Sequence, residues 1–416
     1  MKKKKYFEPL FLIILGAVTS LSLPPNNILL VNFFTLSLLF SFIFQKKKSQ
    51  KKIDGFLYGW YFGFGYFLSN LYWITISLTF DENFTFLIPI ALILIPSFLA
   101  LFYGFATYCF FLINIKLPFS NLLLFSVLFG VVEFIRGSIL TGFPWNLIAY
   151  SLVNNLEIIQ ITSFIGTYAF NTLCISFFSS PAIFILRENK KEMILCIFFL
   201  ILPIILLISG ASKIKSFNSL NAVKNDYIIR VIGSNIDLNR FYGNSDTSKV
   251  INELIDLSQP DLDTKTLFVW PEGIIPNVNQ LELKEFESLF NKKFNKKHLI
   301  VLGITSYDNN NSTDKFYNSF SIYDHRIDLV ENYNKIKLVP FGEFLPFEKI
   351  FKKFGLKSLT NNYQSFSSGQ NREIIEINEN DFDIKILPLI CYEIIYSGRI
   401  YKSSEFDYII NISEDG

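Results

Sequence analysis

The distribution of apolar residues divides the chain into two parts. Up to about residue 211, long apolar runs alternate with short polar loops, and from residue 212 the apolar runs become shorter. A helix needs roughly 20 apolar residues to cross the hydrocarbon core of a bilayer. Seven runs are candidates: about 7–23, 27–45, 56–79, 85–114, 118–136, 156–186 and 193–210. The pattern predicts a transmembrane helical domain over residues 1–211 and an extramembrane domain over residues 212–416.

The second part alternates between strand-like and helix-like patterns. Short stretches rich in β-branched and aromatic residues predict strands at 227–232, 266–270, 299–305, 318–323, 384–390 and 407–412. Between some of them, apolar residues recur with helical spacing, at 247–257 and 281–290. Strands that alternate with helices in this way predict an α/β domain.

Charge is sparse and unevenly placed along the chain. Charged residues make up 18% of the sequence, below the roughly 25% of soluble domains, and the net charge of +2 gives no reason to expect nucleic acid. Basic loops next to membrane spans stay cytoplasmic. With the basic clusters at 2–5, 46–52 and 187–191 inside, seven spans deliver the second domain to the outer face. The first run is interpreted as an anchor, because its exit lacks a small-x-small cleavage pattern.

Cys391 is the only cysteine of the second domain, since the other three lie in apolar runs. An isolated thiol is either an inert core residue or a nucleophile, and isolation alone leaves both open. Cys391 directly follows the predicted strand 384–390. A nucleophile on a tight turn at a strand end is well exposed to substrate, so this position favours a nucleophile.

Histidine, the usual base for a thiol, is poorly placed here. The chain has two histidines: His298 opens a buried strand and His325 lies in a polar turn. Both are interpreted as structural or solvated. A cysteine–histidine mechanism is therefore disfavoured, and carboxylates or lysines must supply the proton chemistry.

Two segments offer such groups. Glu272 follows the predicted strand 266–270, where burial can tune a carboxylate into a general base, although an ordinary turn glutamate has the same pattern. The segment 333–343 contains Lys335, Lys337 and Glu343. A lysine near a thiol can lower the thiol pKa and stabilise an oxyanion, whereas the alternative is a solvated basic strand.

Three motifs, which follow one another along the chain, contain these candidate residues. They are Trp270-Pro271-Glu272, Tyr333-Asn334-Lys335 with Leu338-Val339-Pro340-Phe341-Gly342-Glu343, and Ile390-Cys391-Tyr392-Glu393. They resemble the Glu-Lys-Cys signatures of the nitrilase superfamily. With the spans ahead of them, and with Glu133-Phe134-Ile135-Arg136-Gly137 and Thr141-Gly142-Phe143-Pro144-Trp145, the whole chain resembles the apolipoprotein N-acyltransferase family.

The resemblance implies a fold and a set of roles. The fold is an α-β-β-α sandwich behind the membrane helices. Glu272 is the implied general base, Lys335 the oxyanion stabiliser and Cys391 the nucleophile. Glu343 and Glu393 match positions that support the site, and Tyr392 follows the nucleophile. The Tyr-Asn-Lys register selects Lys335 over Lys337.

The resemblance also implies a ping-pong reaction in the bacterial inner membrane, with the catalytic domain on the periplasmic side. The cysteine takes an acyl chain from a phospholipid, usually phosphatidylethanolamine, as a thioester and passes it to the amine of a diacylglyceryl-cysteine apolipoprotein. No metal or organic cofactor is implied. The alternatives are a membrane-tethered nitrilase-type amidase or hydrolase, in which water replaces the amine, and an inactive truncated membrane scaffold.

Two further expectations concern details of the pattern. Glu133 and Arg136 lie within a span at helical spacing and are interpreted as a structural ion pair, with contact between Arg136 and a lipid phosphate as the lesser hypothesis. The family continues beyond Gly416 and has a tryptophan after residue 236, for which Phe241 or Tyr242 can substitute. The sandwich is therefore expected to be incomplete at its C-terminus.

Overall fold

The structure is a computed structural model of the 416-residue chain. It describes residues 4–79, 82–220, 225–236, 246–308, 315–340, 342–346, 365–378, 382–398, 400 and 405–414. The chain separates into two compact units, Met1–Asn221 and Ala222–Gly416.

The first unit is helical, as the apolar runs predict. Its α-helices are α1 (Lys4–Thr19), α2 (Leu30–Lys47), α3 (Lys52–Leu71), α4 (Ile88–Leu112), α5 (Pro118–Arg136), α6 (Leu156–Ile159), α7 (Thr162–Ser179), α8 (Ile183–Leu186) and α9 (Lys190–Asn218). By length and composition, four helical segments of the described chain can cross a membrane: Phe84–Leu112, Pro118–Arg136, Thr162–Leu186 and Lys190–Asn218. A shorter apolar helix spans Phe7–Ser22. A membrane-spanning unit is thus confirmed, and the count of seven crossings stays a prediction.

Small residues let the backbones of these helices approach one another. A Cβ added at Gly65 of α3 would lie 1.9 Å from the carbonyl oxygen of Ile13 in α1. At Gly59 an added Cβ would lie 2.3 Å from the carbonyl oxygen of Tyr103 in α4. Close backbone contact through small residues is a main source of helix association in lipid, and here it joins α3 to both neighbours.

The second unit is an α/β domain with two sheets. Its strands are β1 (Ile228–Val231), β2 (Thr266–Val269), β3 (His298–Asp308), β4 (Lys315–Tyr323), β5 (Leu329–Asn334), β6 (Ile375–Ile377), β7 (Ile384–Ile390) and β8 (Tyr408–Ile412). One sheet has the order β1-β2-β3-β4-β5, parallel through β3 and antiparallel after it. The other has the order β6-β7-β8, with β7 and β8 parallel.

Two apolar cores define the layers of this unit. One core joins the helices α10 (Thr247–Ser258) and α11 (Glu287–Asn291) to one face of the five-stranded sheet. The other combines residues of both sheets, such as Val301, Phe320 and Ile386. The described residues therefore form a helix–sheet–sheet arrangement, in agreement with three layers of the expected sandwich.

All six predicted strands are confirmed, but the sequence pattern missed two of the strands in the part of the chain that the structure describes. β5 has the polar sequence Leu-Val-Glu-Asn-Tyr-Asn, and β6 has three residues. Each is a strand because a neighbour pairs with it: β4 with β5 and β7 with β6. The predicted helix at 281–290 is a 3-10 turn, Glu282–Phe286, that continues into α11.

Candidate active site

Three chain segments at strand ends supply the candidate catalytic side chains. Glu272 lies just after β2, Lys335 directly after β5 and Cys391 directly after β7. β2 and β5 belong to the five-stranded sheet, whereas β7 belongs to the three-stranded sheet.

Glu272 is held close to β3 and to the end of β8. Its backbone N–H donates to the carbonyl oxygen of Ser413 at 3.3 Å. A Cβ added at Gly303 of β3 would lie 2.5 Å from the Glu272 Cα, so only glycine allows this approach. The Glu272 carboxylate accepts hydrogen bonds from Asn318 Nδ2 at 2.6 Å and from Lys335 Nζ at 3.3 Å.

Lys335 is a buried cation between two carboxylates. Its side chain is 1% exposed, and its Nζ lies 2.8 Å from Glu343 Oε1 and 3.3 Å from Glu272 Oε1. Burial alone would lower the pKa of Lys335, but the negative charges of Glu272 and Glu343 outweigh it and raise that pKa. Lys335 therefore stays positively charged at neutral pH.

Asn318 of β4 is a site residue that the sequence did not reveal. Its Nδ2 donates to Glu272 Oε1 at 2.6 Å and to Glu343 Oε1 at 2.7 Å, so one amide orients both carboxylates that face Lys335. Its carbonyl oxygen accepts the Lys335 backbone N–H at 2.9 Å. Asn318 opens the predicted strand 318–323, and no motif distinguished it from an ordinary strand residue.

Cys391 occupies a strained turn. Its backbone φ is +50°, in the left-handed region that residues with a Cβ rarely adopt. A 3-10 turn, Cys391–Ile395, begins at this residue. Strained backbone of this kind is frequent at functional sites, where the surrounding structure holds it.

The thiol of Cys391 is protonated in the resting site. Burial and then the charge of Glu272 raise its pKa, while Lys335 and hydrogen bonds from the Ser413 side chain and the Tyr392 backbone act in the opposite direction. The sequence suggested that a neighbouring lysine lowers the thiol pKa. Lys335 does act in that direction, but burial and Glu272 determine the sign.

Glu393 connects two parts of the site by hydrogen bonds: the lysine segment, residues 335–337, and the cysteine turn, Cys391–Ile395 with the preceding Ile390. Its carboxylate is fully buried and accepts hydrogen bonds from the backbone N–H groups of Ile336, Lys337 and Ile390 at 3.0, 3.1 and 3.1 Å. The Tyr333 hydroxyl also donates to it at 2.9 Å. Next to it in the chain, the Tyr392 ring packs edge-on against Tyr396, with centroids 5.5 Å apart.

His298 has structural contacts, as the sequence suggested. Its buried ring accepts a hydrogen bond from the Asn295 backbone N–H at Nδ1, and its Nε2 lies 2.9 Å from the Asp261 carbonyl oxygen. The rings of Phe268 and Phe294 pack edge-on against it. His325 lies in the turn after β4, 3.8 Å from the Asp324 carboxylate.

In the first unit, Glu133 and Arg136 form the expected structural pair. Arg136 is 2% exposed, and its Nε donates to Glu133 Oε2 at 2.7 Å. Its terminal nitrogens donate to the carbonyl oxygens of Phe143 at 2.5 Å and Trp145 at 2.6 Å. Because the guanidinium is directed at Glu133 and the 143–145 loop, these contacts support a loop-holding role over contact with a lipid phosphate.

Comparison with known proteins identifies both units. A model of the apolipoprotein N-acyltransferase N-terminal domain matches residues 15–179, and a carbon-nitrogen hydrolase model matches residues 247–415. Apolipoprotein N-acyltransferases of Brucella melitensis and Rhodopseudomonas palustris are 27% and 28% identical to this chain; each match covers 96% of this chain and 76% of the relative. That of Agrobacterium fabrum is 28% identical, over 96% of this chain and 77% of its own length.

Among solved structures, an amidase from Nesterenkonia sp. is 12% identical over 42% of this chain and 60% of its own, with a TM-score of 0.25, too low to compare the folds. The two family models together account for both units, and the relatives align along nearly the whole chain. The chain therefore belongs to the apolipoprotein N-acyltransferase family, within the nitrilase or carbon-nitrogen hydrolase superfamily.

Proposed function

We propose that this protein acylates the N-terminal amine of diacylglyceryl-cysteine apolipoproteins, using a phospholipid as donor and Cys391 as the site of a thioester intermediate. The observation that carries the proposal is that Glu272 and Lys335 both lie near enough to Cys391 for their charges to shift the pKa of its thiol, in opposite directions. The three residues follow strands that are far apart in the sequence. The names of the relatives support the same reaction.

In the first half-reaction, Cys391 attacks an ester carbonyl of the phospholipid. Because the resting thiol is protonated, a base must accept its proton as the carbon–sulfur bond forms. Glu272 is that base. The carbonyl oxygen becomes an oxyanion next to the Lys335 ammonium, which keeps its protons and its positive charge at neutral pH because its pKa is raised. When the intermediate collapses, Glu272 returns the proton to the leaving lysophospholipid alcohol.

In the second half-reaction, the α-amino group of the apolipoprotein attacks the thioester. Glu272 accepts a proton from the amine, Lys335 again stabilises the oxyanion, and the cysteine sulfur leaves and takes the proton back. The products are an N-acylated lipoprotein and free Cys391. Glu343 and Asn318 act as positioning residues, because they hold Lys335 and Glu272 by hydrogen bonds.

The membrane unit fits substrates that are both anchored in lipid. Tethering the catalytic unit to the bilayer restricts the encounter to two dimensions, which raises the effective concentration of both substrates. We place the protein in the bacterial inner membrane with seven crossings and the catalytic unit on the periplasmic side, with phosphatidylethanolamine as donor. The basic clusters at 2–5, 46–52 and 187–191 support this orientation.

Intact-mass spectrometry of the detergent-solubilised protein with phosphatidylethanolamine tests the first half-reaction. We expect a hydroxylamine-labile acyl adduct on the wild type and none on Cys391→Ala. A well-folded wild type that forms no adduct would contradict the mechanism. Adding a diacylglyceryl-cysteine peptide should then transfer the acyl chain to its amine; release as free fatty acid would instead indicate a hydrolase.

A further inference from the structure

Glu393 is a fully buried carboxylate that connects two loops of the site. On one side it accepts hydrogen bonds from the backbone N–H groups of Ile336 and Lys337, directly after Lys335. On the other side it accepts the N–H of Ile390, directly before Cys391. Its position therefore sets the spacing between the lysine segment and the cysteine turn.

A buried carboxylate at this junction needs a counter-charge. Neutral donors satisfy its lone pairs, but an isolated charge in a protein interior is costly unless a partner of opposite sign compensates it. Lys335 is engaged elsewhere, with Glu343 and Glu272. The ion pair that the described residues give Glu393 is with Arg372, whose Nη2 lies 2.6 Å from Glu393 Oε1.

Arg372 lies before β6, outside all three catalytic motifs. Its guanidinium donates through Nε to the Tyr333 hydroxyl at 3.1 Å, through Nη2 to Glu393 and through Nη1 to the Ile400 carbonyl oxygen at 3.1 Å. The Tyr333 hydroxyl in turn donates to Glu393 at 2.9 Å. One side chain, 10% exposed, thus contacts both the carboxylate and the tyrosine that precedes the lysine segment.

We propose that Arg372 is a positioning residue of the acyl transfer, which supplies the counter-charge that lets Glu393 hold the Lys335 segment and the Cys391 turn in register. This inference rests on the proposed function and extends it to a residue that contacts neither substrate nor thiol. Without Arg372, the Glu393 carboxylate would gain solvation by moving toward water and would release the N–H groups that it holds on both sides.

The test compares rates of thioester formation at saturating phosphatidylethanolamine for the wild type, Arg372→Gln and Arg372→Lys. A displacement of about 1 Å at a reacting group can cost about 100-fold in rate, so we expect a loss of that order in Arg372→Gln. Because Arg372 does not bind the donor, the half-saturating donor concentration should change less than about twofold. Arg372→Lys restores the charge and should recover part of the rate.

Arg326→Gln is the matched control. Arg326 also pairs with carboxylates, those of Asp324 and Asp328, but its side chain is 59% exposed. Its variant should acylate at the wild-type rate. If Arg372→Gln does so as well, the inference is wrong.

A double-mutant cycle with Glu393→Gln separates this role from general destabilisation. If Arg372 acts through the Glu393 charge, Arg372→Gln should cost far less in the Glu393→Gln background than in the wild type. Equal losses in both backgrounds would overturn the inference. If Arg372→Gln fails to fold, we expect the double variant with Glu393→Gln to fold again. A double variant that also fails to fold would overturn the inference as well.

The two proposals fail in different ways. A folded wild type without any Cys391 adduct removes the proposed function. A wild-type adduct together with an undiminished Arg372→Gln rate removes only the role of Arg372.

Discussion

Cys391 illustrates how a single residue combines strain and a controlled charge state. The backbone φ of +50° turns the chain away from β7 directly at the thiol. Burial and the nearby Glu272 carboxylate keep the thiol protonated, and Lys335 opposes them. The thiolate of this proposed nucleophile is therefore generated only when its proton moves to a base, which limits side reactions of the resting thiol.

The first prediction concerns alkylation of Cys391. Since the pKa of Cys391 lies above its ordinary value of 9.0, its iodoacetamide rate should still be rising at pH 9. Glu272→Gln removes a charge that raises this pKa and should move the profile to lower pH. Lys335→Gln removes a charge that lowers it and should move the profile upward. Peptide mass spectrometry after replacement of Cys109, Cys174 and Cys196 by alanine gives the rates, and a plateau below pH 8 would contradict the assignment.

The second prediction concerns Asn318. Hydrogen bonds to charged groups contribute about 1.5–3 kcal/mol, so Asn318→Ala should slow thioester formation about 10- to 100-fold. Asn332→Ala is the control, because Asn332 lies on the adjacent strand and donates to Asn334 Oδ1 at 2.9 Å. An Asn318→Ala rate equal to that of the control would show that the two carboxylates are oriented without this amide.

At the scale of elements, the site depends on how closely segments approach at strand ends. Gly303 of β3 lies under the Glu272 backbone, and the Ser413 carbonyl after β8 accepts the Glu272 N–H. Gly303 lies in a strand of the five-stranded sheet, whereas Ser413 directly follows a strand of the three-stranded sheet. The position of the proposed base is thus a property of the packed sandwich.

The third prediction follows from Gly303. In Gly303→Ala the new Cβ, 2.5 Å from the Glu272 Cα, must displace the base, and we expect a loss of acylation of about 100-fold. Val301→Ala, on the same strand in the inter-sheet core, should cost about 2 kcal/mol of stability through lost burial and a cavity. Thermal unfolding and thioester rates should therefore separate the two variants: Val301→Ala should keep its rate while folded.

The fourth prediction concerns the end of α5. Removing one partner of a buried ion pair typically costs about 3–5 kcal/mol, so Arg136→Met should lower the thermal midpoint of the detergent-solubilised protein. Adding Glu133→Met removes the unpaired carboxylate and should recover part of the loss. In the double variant, the half-saturating phospholipid concentration should be unchanged; a large increase would instead favour contact between Arg136 and the lipid phosphate.

At the scale of the whole molecule, the two units differ in what organises them. The first is held by close helix packing and by polar contacts buried between helices, such as the hydrogen bond that the Tyr103 hydroxyl of α4 donates to Glu133 of α5. The second has the layered cores of an α/β domain. The charge bias of the loops gives the membrane unit its expected orientation.

The fifth prediction tests that orientation. In a background without the four native cysteines, single cysteines at Lys48 and Lys191 should resist a membrane-impermeant maleimide in intact spheroplasts. A cysteine at Asp263, whose side chain is fully exposed in the second unit, should be labelled. All three should react after lysis. Labelling at Lys48 but not at Asp263 would invert the proposed topology.

The sequence by itself determined the division into an apolar and a mixed part, six strands and the order of the candidate catalytic motifs, because these depend on hydrophobic periodicity and on short segments. Only the tertiary structure decided the rest. β5 is a strand through its pairing with β4, and Asn318 and Arg372 matter through contacts with residues distant in the chain. The direction of the Cys391 pKa shift likewise depends on burial and on the opposite charges of Glu272 and Lys335. Because these residues lie far from Cys391 in the sequence, no local pattern of residues encodes that direction.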